Sequence, residues 1–439
     1  MPDPKSSPTP LAVPTSRLVR VAGLSSMTAG IAGNVAVRAL REIGRGARPD
    51  MRGLLMTPGN ATRIADRLAR MRGAAMKVGQ LISMDAGEVL PAELAEIMAR
   101  LRDQAHFMPP KQLRDVLNQA WGSDWRNSFQ TFDVRPIAAA SIGQVHRATI
   151  RDGRDVAIKV QYPGIARSID SDVANVATLV RMSGLLPKSF DMAPYIQEAR
   201  SQLHEETDYE REGQYMRCFA DLLQGDEAFE IPEFYPDWST PEVLTMSFLE
   251  GRSIETVRDA PSEERNRVSE ALVKLTLREI FEFGIMQSDP NFANYRYDAS
   301  NGKISLLDFG ATRALQSSAI DGYVHLLRAG LLENDAALRN AAIQLKLVEG
   351  DGPFDDQILG MIRSVFAAIL SANEFDFTDR KLSNHLNKEG MALAAAGYAP
   401  PQMPMDILYL QRKIGGMFML ATRLSASLPL KTLLEKYVI

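Results

Sequence analysis

The amino-acid sequence predicts an α+β fold that is mainly helical. Helical periodicity covers roughly residues 60–120, 165–223, 262–284 and 315 to the end. Short β-branched segments interrupt it around 134–160, with a turn at Asp152-Gly153, and at 294–307, with a turn at Asn301-Gly302. A composition of 45% hydrophobic and 24% charged residues over 439 positions is that of a folded globular chain. It excludes a disordered chain and a polytopic membrane protein. The single cysteine, Cys218, excludes a disulfide framework and a cysteine zinc site.

In chain order, residues 1–16 hold five prolines among Ser and Thr and read as a flexible tail. Residues 17–125 read as a helical extension. Its segment 21–37 is uncharged, and as a helix would be about 26 Å long. It is rich in Gly, Ser and Asn, which suits a helix lying on a membrane or packed on another helix better than one crossing a bilayer. Leu90, Leu94, Ile97, Met98 and Leu101 share one helix face, and Pro109-Pro110 breaks the run. Net charge is −4, but residues 1–80 carry 13 basic and 4 acidic residues. That segment, at +9, sits before an acidic remainder, which suggests an anionic surface as a partner and excludes nucleic acid. Residues 126–250 follow as a small sheet with a helical insertion, and 251–439 as a helical body with a hairpin.

Four pieces with chemical potential stand in a definite order. Taken singly, each also reads as ordinary structure. Ala138-Ala139-Ala140-Ser141 lies in a small-residue loop, and the strand Val156-Ala157-Ile158-Lys159 follows it. Such a loop lets backbone N–H groups approach phosphates, and the strand lysine reaches their charge. An acidic helix, Glu205 to Glu212, supplies a glutamate that can orient Lys159. Asp289 and Asn294 sit five apart on a loop. The aspartate suits a nucleophile's proton and the asparagine amide oxygen suits a hard cation. Asp308-Phe309-Gly310 follows a strand and places a second oxygen donor. This succession is that of a two-lobed protein-kinase-like fold.

The chain resembles the UbiB-type atypical kinase-like family, the ADCK group of ubiquinone-biosynthesis ATPases. The resemblance rests on Lys77-Val78-Gly79-Gln80 (KxGQ), the alanine-rich AAASIGQVHRA loop, the ExD motif Glu206-Thr207-Asp208, and the C-terminal LQRKIGGMFML. It spans about residues 60–430. It implies a kinase-like fold with a KxGQ extension laid over the active site, and ATP and Mg²⁺ as cofactors. Lys159 would meet the ATP phosphates and pair with Glu212, and Asn294 and Asp308 would bind Mg²⁺. Asp289 would act on an attacking water. Adenine would lie near Met246, Ser247, Phe248 and Leu249. Lys77 and Gln80 would meet Glu206, Asp208 and the phosphate site. Alanines in place of glycines stiffen the phosphate cover, which the family associates with weak or absent protein phosphorylation.

The sequence departs from the family pattern at Gln287 and Asn291, where histidine is usual. Ala293 stands in place of glycine and Ser247 in place of a hinge glutamate. The function implied is an ATPase supporting ubiquinone biosynthesis by handling lipid or quinone precursors at a membrane. A protein or small-molecule kinase and a nucleotide-binding scaffold are the alternatives. Partners implied are ATP, those lipids, an anionic membrane surface and ubiquinone-biosynthesis proteins; a homodimer is compatible. The location expected is cytoplasmic and peripheral to a bacterial inner membrane, with mitochondrial targeting as the alternative.

Overall fold

The computed structural model describes residues 71–86, 107–183, 191–398, 401 and 403–438. The proline-rich tail, the uncharged segment 21–37 and the helix expected over 90–101 lie outside them. The chain divides into two compact units. The first runs to Gln214 and takes in Glu233–Phe248; the second holds Tyr215–Pro232 and Leu249 onward.

Unit one contains helices α1 (Arg72–Ala86) and α2 (Pro110–Trp121), then strands β1 (Phe129–Phe132), β2 (Ala138–Ala139), β3 (Gly143–Ile150) and β4 (Asp155–Gln161). Helices α3 (Ile165–Ser183) and α4 (Ala193–Glu206) fill the segment expected as an insertion. The first turns of α5 (Tyr209–Leu222) and strand β6 (Val243–Ser247) complete the unit. Pro110, expected only to end a helix, also begins one, since at the first helical position its missing N–H forfeits no bond. The sheet is antiparallel in the order β1-β3-β4-β6, with β2 paired to the start of β3. Alternation along β4 puts Val156, Ile158 and Val160 into a core with Leu113, Leu117 and Phe129. Lys159, of opposite parity, belongs to the other face. Gly143 at the head of β3 is required by packing, because a Cβ there would lie 2.4 Å from the Val160 carbonyl oxygen. Helix α1 packs on α3 and α4.

Unit two has a four-stranded sheet in the order β5 (Phe229–Glu230), β10 (Lys303–Leu306), β9 (Tyr295–Asp298), β7 (Arg252–Ser253). The β9–β10 hairpin is the expected one, and β5 adds to it in parallel. Strand β8 (Ile285–Gln287) pairs with β11 (Thr312–Ala314). Helix α6 (Ser262–Arg278) continues into a π-helical turn, Glu279–Phe283. After β11 come α7 (Ser317–Leu331), α8 (Asp335–Gln344), α9 (Asp355–Leu370), α10 (Lys381–Ala395), α11 (Met405–Arg423) and α12 (Leu430–Glu435). A two-residue strand pair, β12 (Phe375–Asp376) with β13 (Ser427–Leu428), interrupts this helical region, too short to leave a periodic signal. Among the described residues no helix is long and apolar enough to cross a membrane.

Candidate functional site

In unit one, Lys159 on β4 is 8% exposed and Glu212 on α5 is 1% exposed. The Lys159 Nζ donates to both Glu212 carboxylate oxygens, at 2.8 and 3.0 Å. Tyr209, one turn before Glu212, holds its ring 5.3 Å from the same ammonium. The parity of β4 and the pitch of α5 bring these groups together across 53 residues of sequence.

A second charged group joins α1, the alanine-rich loop and the end of α4. Lys77 forms an ion pair with Glu206 Oε1, and Ser141 Oγ donates to Glu206 Oε2 at 2.9 Å. Gln80 lies half-buried on the same helix, three residues beyond Lys77. Asp208 is exposed, and its Oδ1 accepts from the Arg211 backbone N–H at 2.9 Å as an N-terminal cap of α5. The ExD carboxylates therefore have different partners. Ala138 and Ala139 are exposed on β2, and Ala140 N–H donates to the Gly143 carbonyl at 2.9 Å, closing the turn that carries Ser141.

At the end of β6, Met246 is buried opposite Ala157. Ser247 exchanges two bonds with Glu233: its N–H donates to the Glu233 carbonyl, and its Oγ accepts the Glu233 N–H, both at 2.9 Å. A glutamate there would lose the short hydroxyl that makes the second bond. Phe248 N–H donates to the Asp155 carbonyl, and its ring lies under the Arg147 guanidinium at 3.9 Å. Leu249 is half-buried where unit two resumes.

In unit two, the loop after β8 carries Asp289 and Asn294. Asp289 N–H donates to Gln287 Oε1 at 3.0 Å, and Arg412 on α11 donates to Asp289 Oδ1 at 2.6 Å. Asn294 Nδ2 donates to the Asp289 carbonyl at 3.2 Å, so its amide oxygen is the end available to a cation. Asn291 Oδ1 caps the short turn before it by accepting the Ala293 N–H. Asp308 Oδ1 accepts the Gly310 N–H at 3.0 Å, and buried Phe309 packs on Phe219 at 5.3 Å. Asn294 and Asp308 line one small cavity with Glu279 and Gln287. An amide oxygen and a carboxylate are hard donors of the kind Mg²⁺ takes beside phosphate oxygens, so the residues fit that ion. Among the described residues no cluster of three or more His, Cys, Asp or Glu side chains could hold a metal.

Beneath the loop lies a buried ion pair that the sequence reading missed. Lys413 Nζ is 2.8 Å from Glu279 Oε2, and each side chain is 1% exposed. Burial works against the lysine's charge, but the Glu279 carboxylate and Tyr295 outweigh it and push its pKa up to about 12. Burial pushes the Glu279 carboxyl up, opposed by Lys413. A signal was present in the sequence. Lys413 sits on the buried stripe Ile407, Leu410, Lys413, Met417, Leu420, and Glu279 extends the stripe Val268, Leu272, Leu275. A charge on an apolar helix face demands a partner.

The family model of the ABC1 atypical kinase-like domain matches residues 100–342. The chain is 37% identical over 424 residues to the atypical kinase COQ8, mitochondrial, of Saccharomyces cerevisiae, covering 94% of this chain and 83% of that protein. It is 34% identical to the mitochondrial atypical kinase COQ8B of Danio rerio, covering 94% and 67% respectively. Among solved structures it is similar to Rv3197 of Mycobacterium tuberculosis, described as a complex with erythromycin. That likeness has a TM-score of 0.61 and 26% identity, and covers 84% of this chain and 93% of that one. The mixed α+β architecture and the match to this domain show a kinase-like fold, and the chain belongs to the ABC1 atypical kinase-like family, the UbiB group that includes the COQ8 proteins.

Proposed function

We propose that this protein is a Mg²⁺-dependent ATPase of the atypical kinase-like type that supports ubiquinone biosynthesis at a membrane surface. The observation that carries the reading is the bidentate Lys159–Glu212 pair. A buried lysine held at fixed geometry beside a small-residue loop is a preorganised cation for phosphate oxygens. The nucleotide is assigned to Lys159, the Ala138–Ser141 loop and the Met246–Leu249 segment. Lys77, Gln80, Glu206 and Asp208 stand at or near that loop. Asp289 is assigned to the acceptor, and Asn294 and Asp308 to the metal.

In this reading Asn294 and Asp308 would hold Mg²⁺, and the ion would supply charge neutralisation for the phosphoryl group. Arg412 fixes one oxygen of Asp289, and the other orients the attacking water and takes its proton as the water oxygen bonds the γ-phosphorus and the bond to ADP breaks. The alanine-rich turn is held by the Ser141–Glu206 bond, which restrains a cover that would otherwise have to move for a bulky acceptor. Water is then the favoured acceptor. The membrane assignment is supported by the +9 charge of residues 1–80. The sequence resemblance supports the link to quinone precursors. The place expected is the surface of a bacterial inner membrane, or its mitochondrial counterpart.

ATP turnover with and without anionic liposomes and a phenolic quinone-precursor mimic tests the reading. Turnover raised by both supports it; turnover indifferent to both removes the lipid coupling. A second reading, a nucleotide-gated scaffold, is favoured by Arg412 occupying an oxygen of Asp289 and by Gln287 in place of histidine. Mg²⁺-dependent binding without hydrolysis in any lipid would select it.

A further inference from the structure

We propose that the buried Lys413–Glu279 pair is a positioning device for the loop that carries Asp289 and Asn294. The inference rests on the reading of that loop as the reaction centre. Glu279 holds the start of the loop, and Lys413 reaches both its ends. At the start, Lys413 Nζ donates to the Gln287 carbonyl at 3.0 Å, and Glu279 Oε1 accepts the Gln287 N–H at 3.4 Å. Both backbone groups of one residue are thereby bound by one ion pair. Gln287 passes the constraint on, since its side-chain oxygen accepts the Asp289 N–H at 3.0 Å. At the end of the loop, Lys413 Nζ lies 3.5 Å from the hydroxyl of Tyr295, the residue after Asn294.

The same helix reinforces the seat. Three residues beyond Lys413, Gly416 presses so closely on Pro290 that a Cβ would lie 2.3 Å from the proline ring. A buried ion pair contributes little net stability, because desolvation offsets its attraction and apolar residues of similar volume would serve as well. What it supplies here is direction. Two charges accept and donate at fixed angles, and an apolar pair cannot orient a peptide group. The π-helical turn beginning at Glu279 is the local departure that brings its carboxylate to Gln287, and such turns recur at functional sites. Lys413 and Glu279 therefore act through Gln287 on Asp289 and do not touch substrate themselves.

The test uses the full-length protein with Lys413→Met, Glu279→Gln and the double variant. The double variant has no unpaired buried charge, so it carries the test where Lys413→Met fails to fold. Its melting temperature should stay near that of the wild type. Its kcat for Mg-ATP should fall about 100-fold, the effect of a misplacement on the order of 1 Å. Its affinity for ATP in chelator should change little, because both substitutions leave Lys159, Ala138–Ser141 and Met246–Leu249 unaltered. Hydrogen exchange at residues 288–294 should accelerate. Wild-type kcat together with wild-type exchange in the double variant would overturn the proposal. If the wild type shows no turnover, the ATPase reading fails, and exchange alone then decides: unchanged protection of 288–294 overturns the positioning role and faster exchange supports it.

Discussion

Lys77 and Glu206 form an ion pair whose side chains retain only 6% and 12% exposure, and the second Glu206 oxygen accepts the Ser141 hydroxyl. One carboxylate thus ties helix α1 to the alanine-rich loop. Lys77→Met should destabilise unit one by about 3 kcal/mol, the lower end of the range for removing one partner of a buried pair. Lys77→Met with Glu206→Gln should recover much of that loss. A double-mutant cycle by denaturant unfolding measures it, and additive losses would show that the two residues are not coupled.

Lys159 and Glu212 make a stricter pair because both oxygens are used and Glu212 is buried. Glu212→Gln should lower nucleotide affinity about tenfold or more, since Lys159 loses the charge that fixes its position. Titration with a fluorescent nucleotide checks this. Unchanged affinity would detach the pair from the nucleotide.

Adjacent glycines on α11 should respond with opposite sign. A Cβ at Gly415 meets nothing within 4 Å, so Gly415→Ala should stabilise by up to about 1 kcal/mol through helix propensity. A Cβ at Gly416 would overlap Pro290, so Gly416→Ala should destabilise by about 1–3 kcal/mol and displace the Asp289 loop. Thermal melts of the two variants side by side decide it.

His146 is buried with a fixed tautomer. Gln144 Oε1 accepts the Met108 N–H, so Gln144 Nε2 donates to His146 Nε2, and His146 Nδ1 donates to the Asp133 carbonyl. Burial holds its pKa below the usual 6.5 despite Asp133. The unfolded state then binds more protons near and below pH 6.5, so this histidine's contribution to stability is complete above 6.5 and is lost as pH falls through the folded value. Unfolding free energy measured from pH 7.5 to 5 should decline more steeply for the wild type than for His146→Gln. Parallel curves would contradict the burial argument.

The helical majority, both hairpins and the order of the motifs were legible because each is local. Period 3.6, period 2 and a turn dipeptide all act within a dozen residues. Motif order pointed to a glutamate of the Glu205–Glu212 helix as the partner of Lys159, and the family resemblance implied Glu212, although the spacing itself says nothing of distance. Arg412 and Lys413 were not legible as neighbours of the loop, because 123 and 126 residues separate them from Asp289 and Gln287. The parallel pairing of β5 with β10 and the two-residue β12–β13 pair are set by tertiary contacts and leave no local pattern. Asp208 shows the converse. A motif grouped it with Glu206, while its backbone position made it a helix cap.

Calorimetric titration of Mg-ATP into the wild type and Asp308→Asn tests the assignment of the nucleotide and metal sites most directly. The wild type should bind Mg-ATP at least about tenfold more tightly than ATP in chelator, a difference of roughly 1.4 kcal/mol, and Asp308→Asn should abolish that difference. Equal wild-type affinity with and without Mg²⁺, or an unaltered Mg²⁺ dependence in Asp308→Asn, would contradict it.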